Sequence, residues 1–168
     1  MWKATYKEND VAVKKLRFPV DSGGPGSSNM TKEFQREIAT LIKVRHTNLV
    51  NFMGACAENN KVDGTQGSVL ILTEFCFGGS LFSLLHEKRS VNLTFKQRYR
   101  MALDIARGMN FLHIQEPPIL HRDLKSLNLL LTEEVKSETD HVQVKVTDFG
   151  LSRSKFDTVS NVLDGNGQ

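Results

Sequence analysis

Cysteine is scarce in this 168-residue chain: Cys56 and Cys76 are the only two. Two thiols build neither a disulfide framework nor a four-cysteine metal site, so the expected setting is reducing and cytoplasmic. Long apolar runs are missing too. None approaches the ~20 residues that span a bilayer, and Met1-Trp2-Lys3-Ala4-Thr5-Tyr6 lacks the apolar stretch of a signal peptide. No membrane partner is expected. Neither sign of charge dominates: 22 Lys and Arg stand against 19 Asp and Glu, a net +3. Without a clustered basic patch, that balance argues against nucleic acid as a partner. What is present is 39% hydrophobic against 24% charged residues. That suffices for an apolar core and argues against general disorder.

The first half reads as strands around one helix. Val11-Ala12-Val13-Lys14 is a β-branched strand candidate. The stretch Asp21-Ser22-Gly23-Gly24-Pro25-Gly26-Ser27-Ser28 continues neither regular structure and predicts a loop. A helix should follow, with Thr31 as N-cap, Glu33 in its first turn, and Phe34, Ile38, Leu41 and Ile42 as its apolar stripe. Leu49 to Phe52 predicts the next strand, Asn59 to Gly67 a polar turn, and Val69-Leu70-Ile71-Leu72-Thr73 a buried strand. Gly78-Gly79 breaks the pattern, and the chain turns mainly helical. Ser80 is placed to cap a short helix through Leu85. A longer helix begins near Thr94, with Phe95, Tyr99, Ala102, Ala106 and Met109 as its expected buried face, and Pro117-Pro118 stops it. Leu129-Leu130-Leu131 and the alternating Val142, Val144 and Val146 predict a hairpin. From Ser152 onward no element is signalled.

Four short constellations carry chemistry. In Val11-Ala12-Val13-Lys14, strand alternation puts Ala12 and Lys14 on one face. A lysine there can point a charge into a cleft beside room for a flat ligand; the plain alternative is a solvated surface lysine. Glu37 falls on the apolar stripe of its helix and needs a cation, for which Lys14 is a candidate, unless it tilts out to solvent. In His121-Arg122-Asp123-Leu124-Lys125-Ser126-Leu127-Asn128, three unlike polar groups fall close together. The Asp can accept a hydroxyl proton, the Lys can neutralise a transferring phosphoryl group, and the Asn oxygen can hold Mg²⁺. A purely structural loop rarely needs all three in this order. Asp148-Phe149-Gly150 supplies a hard oxygen ligand and a backbone able to turn. Alone it reads as an ordinary turn, but it follows Asp123 by about 25 residues.

Together, and in this order, these residues resemble the eukaryotic protein kinase catalytic domain. Arg45-His46-Thr47-Asn48-Leu49-Val50 is similar to the turn after the regulatory helix, and Thr73 to Leu81 to the gatekeeper, hinge and following helix. Lys125 in the loop and Asp148-Phe149-Gly150-Leu151-Ser152-Arg153 are most similar to the tyrosine-kinase-like (mixed-lineage/Raf-type) serine/threonine group. The resemblance implies an α+β, bilobal protein-kinase-like fold. Residues 1–75 would form an N-lobe antiparallel sheet with one regulatory helix, and residues 76–168 an incomplete helical C-lobe ending in the activation loop.

The same resemblance implies roles. Lys14 would contact the α- and β-phosphates of ATP and pair with Glu37. Asp123 would orient and deprotonate the acceptor hydroxyl, and Lys125 would steady the γ-phosphate. Asn128 and Asp148 would hold Mg²⁺. Glu74 to Cys76 would bond adenine, between Ala12 and Leu130, with Thr73 as gatekeeper. Leu41, Phe52, His121 and Phe149 would stack as a column linking the lobes. The implied partners are a protein substrate with a Ser/Thr acceptor and an upstream activating kinase, whose phosphate on Thr158 or Ser160 (Ser154 lies in the same region) would pair with Arg122.

The pattern departs from the family in two places. No Gly-rich loop precedes the strand that Met1 begins, and the chain stops within the activation loop. The expectation is a fragment of a kinase domain, inactive by itself. A module of another class, kinase-like but non-catalytic and binding partners or nucleotide, is the alternative; the full set of catalytic residues weighs against it.

Overall fold

The computed structural model describes residues 1–19, 38–39, 41–59, 66–88 and 91–149. The expected loop at Asp21–Ser28, the cap Thr31, Glu33, Phe34 and Glu37, Gly150 and the whole tail lie outside the described residues. The chain divides into two compact units, Met1–Lys43 with Phe52–Phe75, and Val44–Asn51 with Cys76–Gln168.

In the first unit, four strands form an antiparallel sheet: β1 (Trp2–Tyr6), β2 (Asn9–Pro19), β3 (Phe52–Asn59) and β4 (Gln66–Glu74), in the order β1-β2-β4-β3. The β-branched residues drive it: Val11, Val13, Val69 and Ile71 are all buried. The β1–β2 turn is made by Lys7 and Glu8, both left-handed at φ 48° and 66°, the twist that a two-residue hairpin needs. Beside it, Lys3 Nζ lies 2.8 Å from Asp10 Oδ2 and 4.9 Å from the Phe75 ring centroid. Residues 38–39 and 41–43 are helical, within the predicted helix. The strand expected at Leu49 begins only at Phe52. Leu49 instead forms a parallel bridge with Val146 and is buried in the second unit. The apolar run is continuous, but its backbone partner changes midway.

In the second unit, β5 (Gly79–Ser80), β6 (Leu129–Leu131) and β7 (Val144–Val146) form a small sheet in that order. β6 and β7 are the predicted hairpin. Gly78 is required by a close approach: a Cβ there would lie 2.1 Å from the Glu133 carbonyl oxygen. Gly79 is required by its φ of +72°. Ser80 Oγ accepts from the Ser83 N–H at 3.1 Å and starts a helical stretch that closes as a π turn over Ser83–Glu87.

The long helix runs Phe95–His113. Thr94 Oγ1 accepts from the Gln97 N–H and Gln97 Oε1 accepts from the Thr94 N–H, a reciprocal cap. Its buried face differs from the one the apolar spacing predicts. Gln97, Met101, Asp104, Gly108 and Leu112 are buried, whereas Phe95 is 83% and Tyr99 62% exposed, and Ala102 and Ala106 face outward. The reason is that this helix packs against backbone. Gln97 Nε2 donates to the carbonyls of Ser137 (2.9 Å) and Asp140 (3.0 Å), and Asp104 Oδ2 accepts from the Val144 N–H (3.1 Å). Burying polar side chains is favourable there because each meets a backbone group that would otherwise be orphaned. Among the described residues, no helix is long and apolar enough to cross a membrane.

Candidate active site

After the long helix the chain folds back, with the Ile119 N–H on the Leu112 carbonyl at 3.0 Å. It then enters the loop His121–Asn128. His121 is 2% exposed and organises the loop. Its Nδ1 accepts from the Asp123 N–H (3.3 Å) and its Nε2 lies 2.9 Å from the Thr147 carbonyl oxygen. A backbone N–H only donates and a carbonyl only accepts, so the pairing assigns the Nε2–H tautomer. His121 is therefore a polar anchor of the loop, bonded through both ring nitrogens. Arg122, between these anchors, is left-handed at φ 61°.

Asp123, Lys125 and Asn128 come together. Lys125 Nζ is 2.8 Å from Asp123 Oδ2. Asn128 Nδ2 donates to the same oxygen at 3.0 Å and to the Asp123 carbonyl at 2.9 Å. The Lys125 hydrogen bond holds the Asp123 carboxyl below its ordinary value, with help from the Asn128 bond and the Lys125 charge and against a desolvation push upward. The group is therefore ionised near neutrality. Both bonds fall on Oδ2, and Oδ1 takes neither. An ionised carboxylate with an uncommitted oxygen, beside an ammonium, can receive a hydroxyl proton next to a group that attracts anions.

Asn128 is buried, and its Nδ2 turned to Asp123 leaves Oδ1 as a hard oxygen donor. The Asn128 carbonyl accepts from the Thr147 N–H at 3.0 Å, while the Thr147 carbonyl meets His121. Thr147 is thus held at both backbone groups by the loop. Asp148 follows in the left-handed region at φ 61°, a conformation costing about 1–2 kcal/mol for a residue with a side chain. Phe149 is 4% exposed. Strain at a carboxylate-bearing residue that surrounding bonds over-determine is the pattern of a functional position.

The remaining sequence-derived candidates divide between the units. In the first, Ala12 opposes Thr73, Lys14 opposes Ile71, and Phe52 opposes Thr73. Directly opposed residues share a face, so Ala12, Lys14, Thr73 and Phe52 lie on one side of the sheet. Glu74 ends β4 opposite Val11. In the second, the Phe77 and Gly78 N–H groups donate to the carbonyls of Thr132 and Leu131, both at 3.0 Å. These bonds fix the segment beginning at buried Cys76 to the strand carrying Leu130. Glu37 lies outside the described residues. Sequence reasoning missed Asn48 and Asp104, both buried and both bonded to β7. The signal was there for Asp104: it falls at helical spacing with Met101, Gly108 and Leu112.

The profile of the protein tyrosine and serine/threonine kinase family matches residues 1–167. The chain is 40% identical over 157 residues to the serine/threonine-protein kinase CTR1 of Arabidopsis thaliana, covering 93% of this chain and 17% of that protein. It is 38% identical over 175 residues to the dual specificity protein kinase splA of Dictyostelium discoideum, covering 96% and 7%. To the serine/threonine-protein kinase STY46 of Arabidopsis thaliana it is 37% identical over 158 residues, covering 94% and 24%. The chain therefore spans a quarter or less of the length of these relatives. With a profile match from end to end, and with Asp123, Lys125 and Asn128 bonded as one loop, the chain belongs to the protein tyrosine and serine/threonine kinase family.

Proposed function

We propose that the protein transfers the γ-phosphoryl group of ATP, with Mg²⁺, to Ser or Thr hydroxyls of protein substrates in signal transduction. The observation that carries this reading is the loop in which Asp123 is ionised, bonded by Lys125 and Asn128, and left with an uncommitted oxygen. Phosphoryl transfer asks a protein mainly for positioning and charge neutralisation, and this loop has the groups for both. Asp123 takes the proton as the acceptor oxygen bonds to phosphorus and the bridging oxygen leaves with ADP. Lys125 balances charge on the phosphoryl oxygens. Lys14 is the proposed holder of the α- and β-phosphates, with Glu37 as its proposed carboxylate partner. Ala12, Thr73, Glu74, Cys76 and Leu130 are the residues proposed to contact adenine, the backbone from Glu74 to Cys76 supplying its hydrogen bonds.

Asn128 and Asp148 fit a hard divalent cation, since both offer oxygen donors and the Asn128 amide nitrogen is turned to Asp123. Bound there, Mg²⁺ supplies charge neutralisation for the phosphates. Residues 1–75 then act as the nucleotide-holding lobe and 76–168 as the start of the substrate lobe. Arg122 receives a phosphate placed on Thr158 or Ser160 by an upstream kinase. Two cysteines, neither of them in a disulfide, suit a cytoplasmic setting.

The test is incubation of the full-length protein with Mg²⁺ and labelled ATP, then phosphoamino-acid analysis of a protein substrate. Label on Ser or Thr is expected. Nucleotide binding without any transfer would select the non-catalytic alternative.

A further inference from the structure

β7 has one neighbour within its sheet, β6, and its other edge meets only the isolated bridge from Leu49 to Val146, so the backbone groups of that edge need partners from outside the sheet. Which groups face that edge follows from the hydrogen bonds beside the strand. The Thr132 N–H donates to the Gln143 carbonyl (3.2 Å) and the Thr147 N–H to the Asn128 carbonyl (3.0 Å). Residues 143, 145 and 147 therefore turn to β6, and Val144 and Val146 turn their N–H and C=O groups away.

Each of those groups is taken. The Val144 N–H donates to Asp104 Oδ2 at 3.1 Å, and the Val144 carbonyl accepts from Asn48 Nδ2 at 3.0 Å. The Val146 N–H donates to the Asn48 carbonyl and the Val146 carbonyl accepts from the Val50 N–H, both at 2.9 Å. Asn48 and Asp104 are 4% and 3% exposed. Burying a carboxylate is costly, and a strand edge can be covered more cheaply by another strand. The long helix supports the arrangement from one stripe. Asp104 bonds Val144, Gly108 leaves room for the Asn48 carbonyl, and Phe111 stacks on His46 at 4.8 Å. His46 Nδ1 in turn accepts from the Asn48 N–H at 3.1 Å.

We propose that Asn48 and Asp104 are positioning residues: by gripping both backbone groups of Val144 they fix the strand that aims Asp148 at the proposed metal site. From Val144 the constraint passes along β7 to Thr147, whose backbone is bonded by Asn128 and His121, and then to the left-handed Asp148. The assignment of Asp148 to the metal rests on the function proposed above; the grip on Val144 does not.

The experiment uses the full-length protein with Asp104→Leu, Asn48→Leu and the rescue variant Asp104→Asn, whose amide oxygen still accepts from the Val144 N–H. Hydrogen exchange of peptides covering residues 142–149 is read without ligand. Asp104→Leu and Asn48→Leu are expected to speed exchange there about tenfold or more, leaving the C-terminal half of the long helix within twofold of the parent. The Mg²⁺ concentration for half-maximal phosphoryl transfer is expected to rise about tenfold or more, the scale of losing an outer-shell support. Asp104→Asn should stay within twofold of the parent in both readouts. Unchanged exchange at 142–149, or equal acceleration across the whole unit with no rescue by Asp104→Asn, would overturn the grip. Altered exchange with an unaltered Mg²⁺ requirement would overturn the aiming role. If the parent transfers no phosphate, the proposed function fails, and exchange alone still decides the grip.

Discussion

Gly108→Ala puts two opposing effects in direct competition. A glycine inside a helix costs about 1 kcal/mol relative to alanine, so propensity alone predicts stabilisation. The packing predicts the reverse. A Cβ on Gly108 would lie 2.7 Å from the Asn48 carbonyl oxygen, 3.2 Å from Val146 Cγ2 and 3.3 Å from Leu49 Cδ2. The oxygen cannot retreat freely, because it accepts from the Val146 N–H at 2.9 Å. Overpacking a tight contact costs about 1–3 kcal/mol, and weakening the Asn48–Val146 bond adds about 1 kcal/mol. The costs exceed the gain, and the expected net is about 1–3 kcal/mol of destabilisation. Hydrogen exchange of peptides from Phe95–His113 in the full-length protein reads this as roughly 5–150-fold faster opening. Asn110→Ala is the control, since Asn110 is exposed on the same helix and should gain a few tenths of a kcal/mol. Slower exchange in Gly108→Ala, in step with Asn110→Ala, would refute the close approach of the helix to Asn48 and Leu49.

Lys125→Met removes the main bond that keeps the Asp123 carboxyl low. The folded-state value sits below the ordinary 3.8, so the ion's contribution is present above that value and fades as pH falls through the lower one. The variant should move the Asp123 titration, followed by carboxyl NMR, toward the ordinary value; no movement would contradict the pairing. Gln97→Leu removes the side-chain half of the reciprocal cap and two bonds to the 137–140 loop, and should cost about 2–3 kcal/mol in a denaturant melt. Lys7→Asn with Glu8→Gly relaxes the left-handed turn and should stabilise the first unit by about 1 kcal/mol, read as slower exchange in β1 and β2.

What was legible in the sequence depended on what each residue packs against. The loop from His121 to Asn128 stands out because its chemistry is encoded in residue type and spacing. The β6–β7 hairpin is visible because its apolar residues alternate at the strand period. The buried face of the long helix was hidden because Gln97, Asp104 and Gly108 bury against backbone groups of remote segments, and hydropathy carries no signal for that. Phe95 and Tyr99 drew attention as apolar residues at helical spacing, yet they lie on the exposed side. The apolar neighbours of Leu49 predict a strand, while its partner Val146 lies about a hundred residues on and is invisible to a local window. The tautomer of His121 and the twist of Asp148 are likewise properties of contacts that only the folded chain makes.

The most direct test is single-turnover phosphoryl transfer from Mg²⁺ and ATP by the full-length parent and by Asp123→Asn, with ATP affinity measured in parallel by calorimetry. Removing the proton acceptor should slow transfer by about 10²–10⁴-fold while leaving ATP affinity within a few fold. Transfer in Asp123→Asn at the parental rate would contradict the assignment of Asp123 as the base.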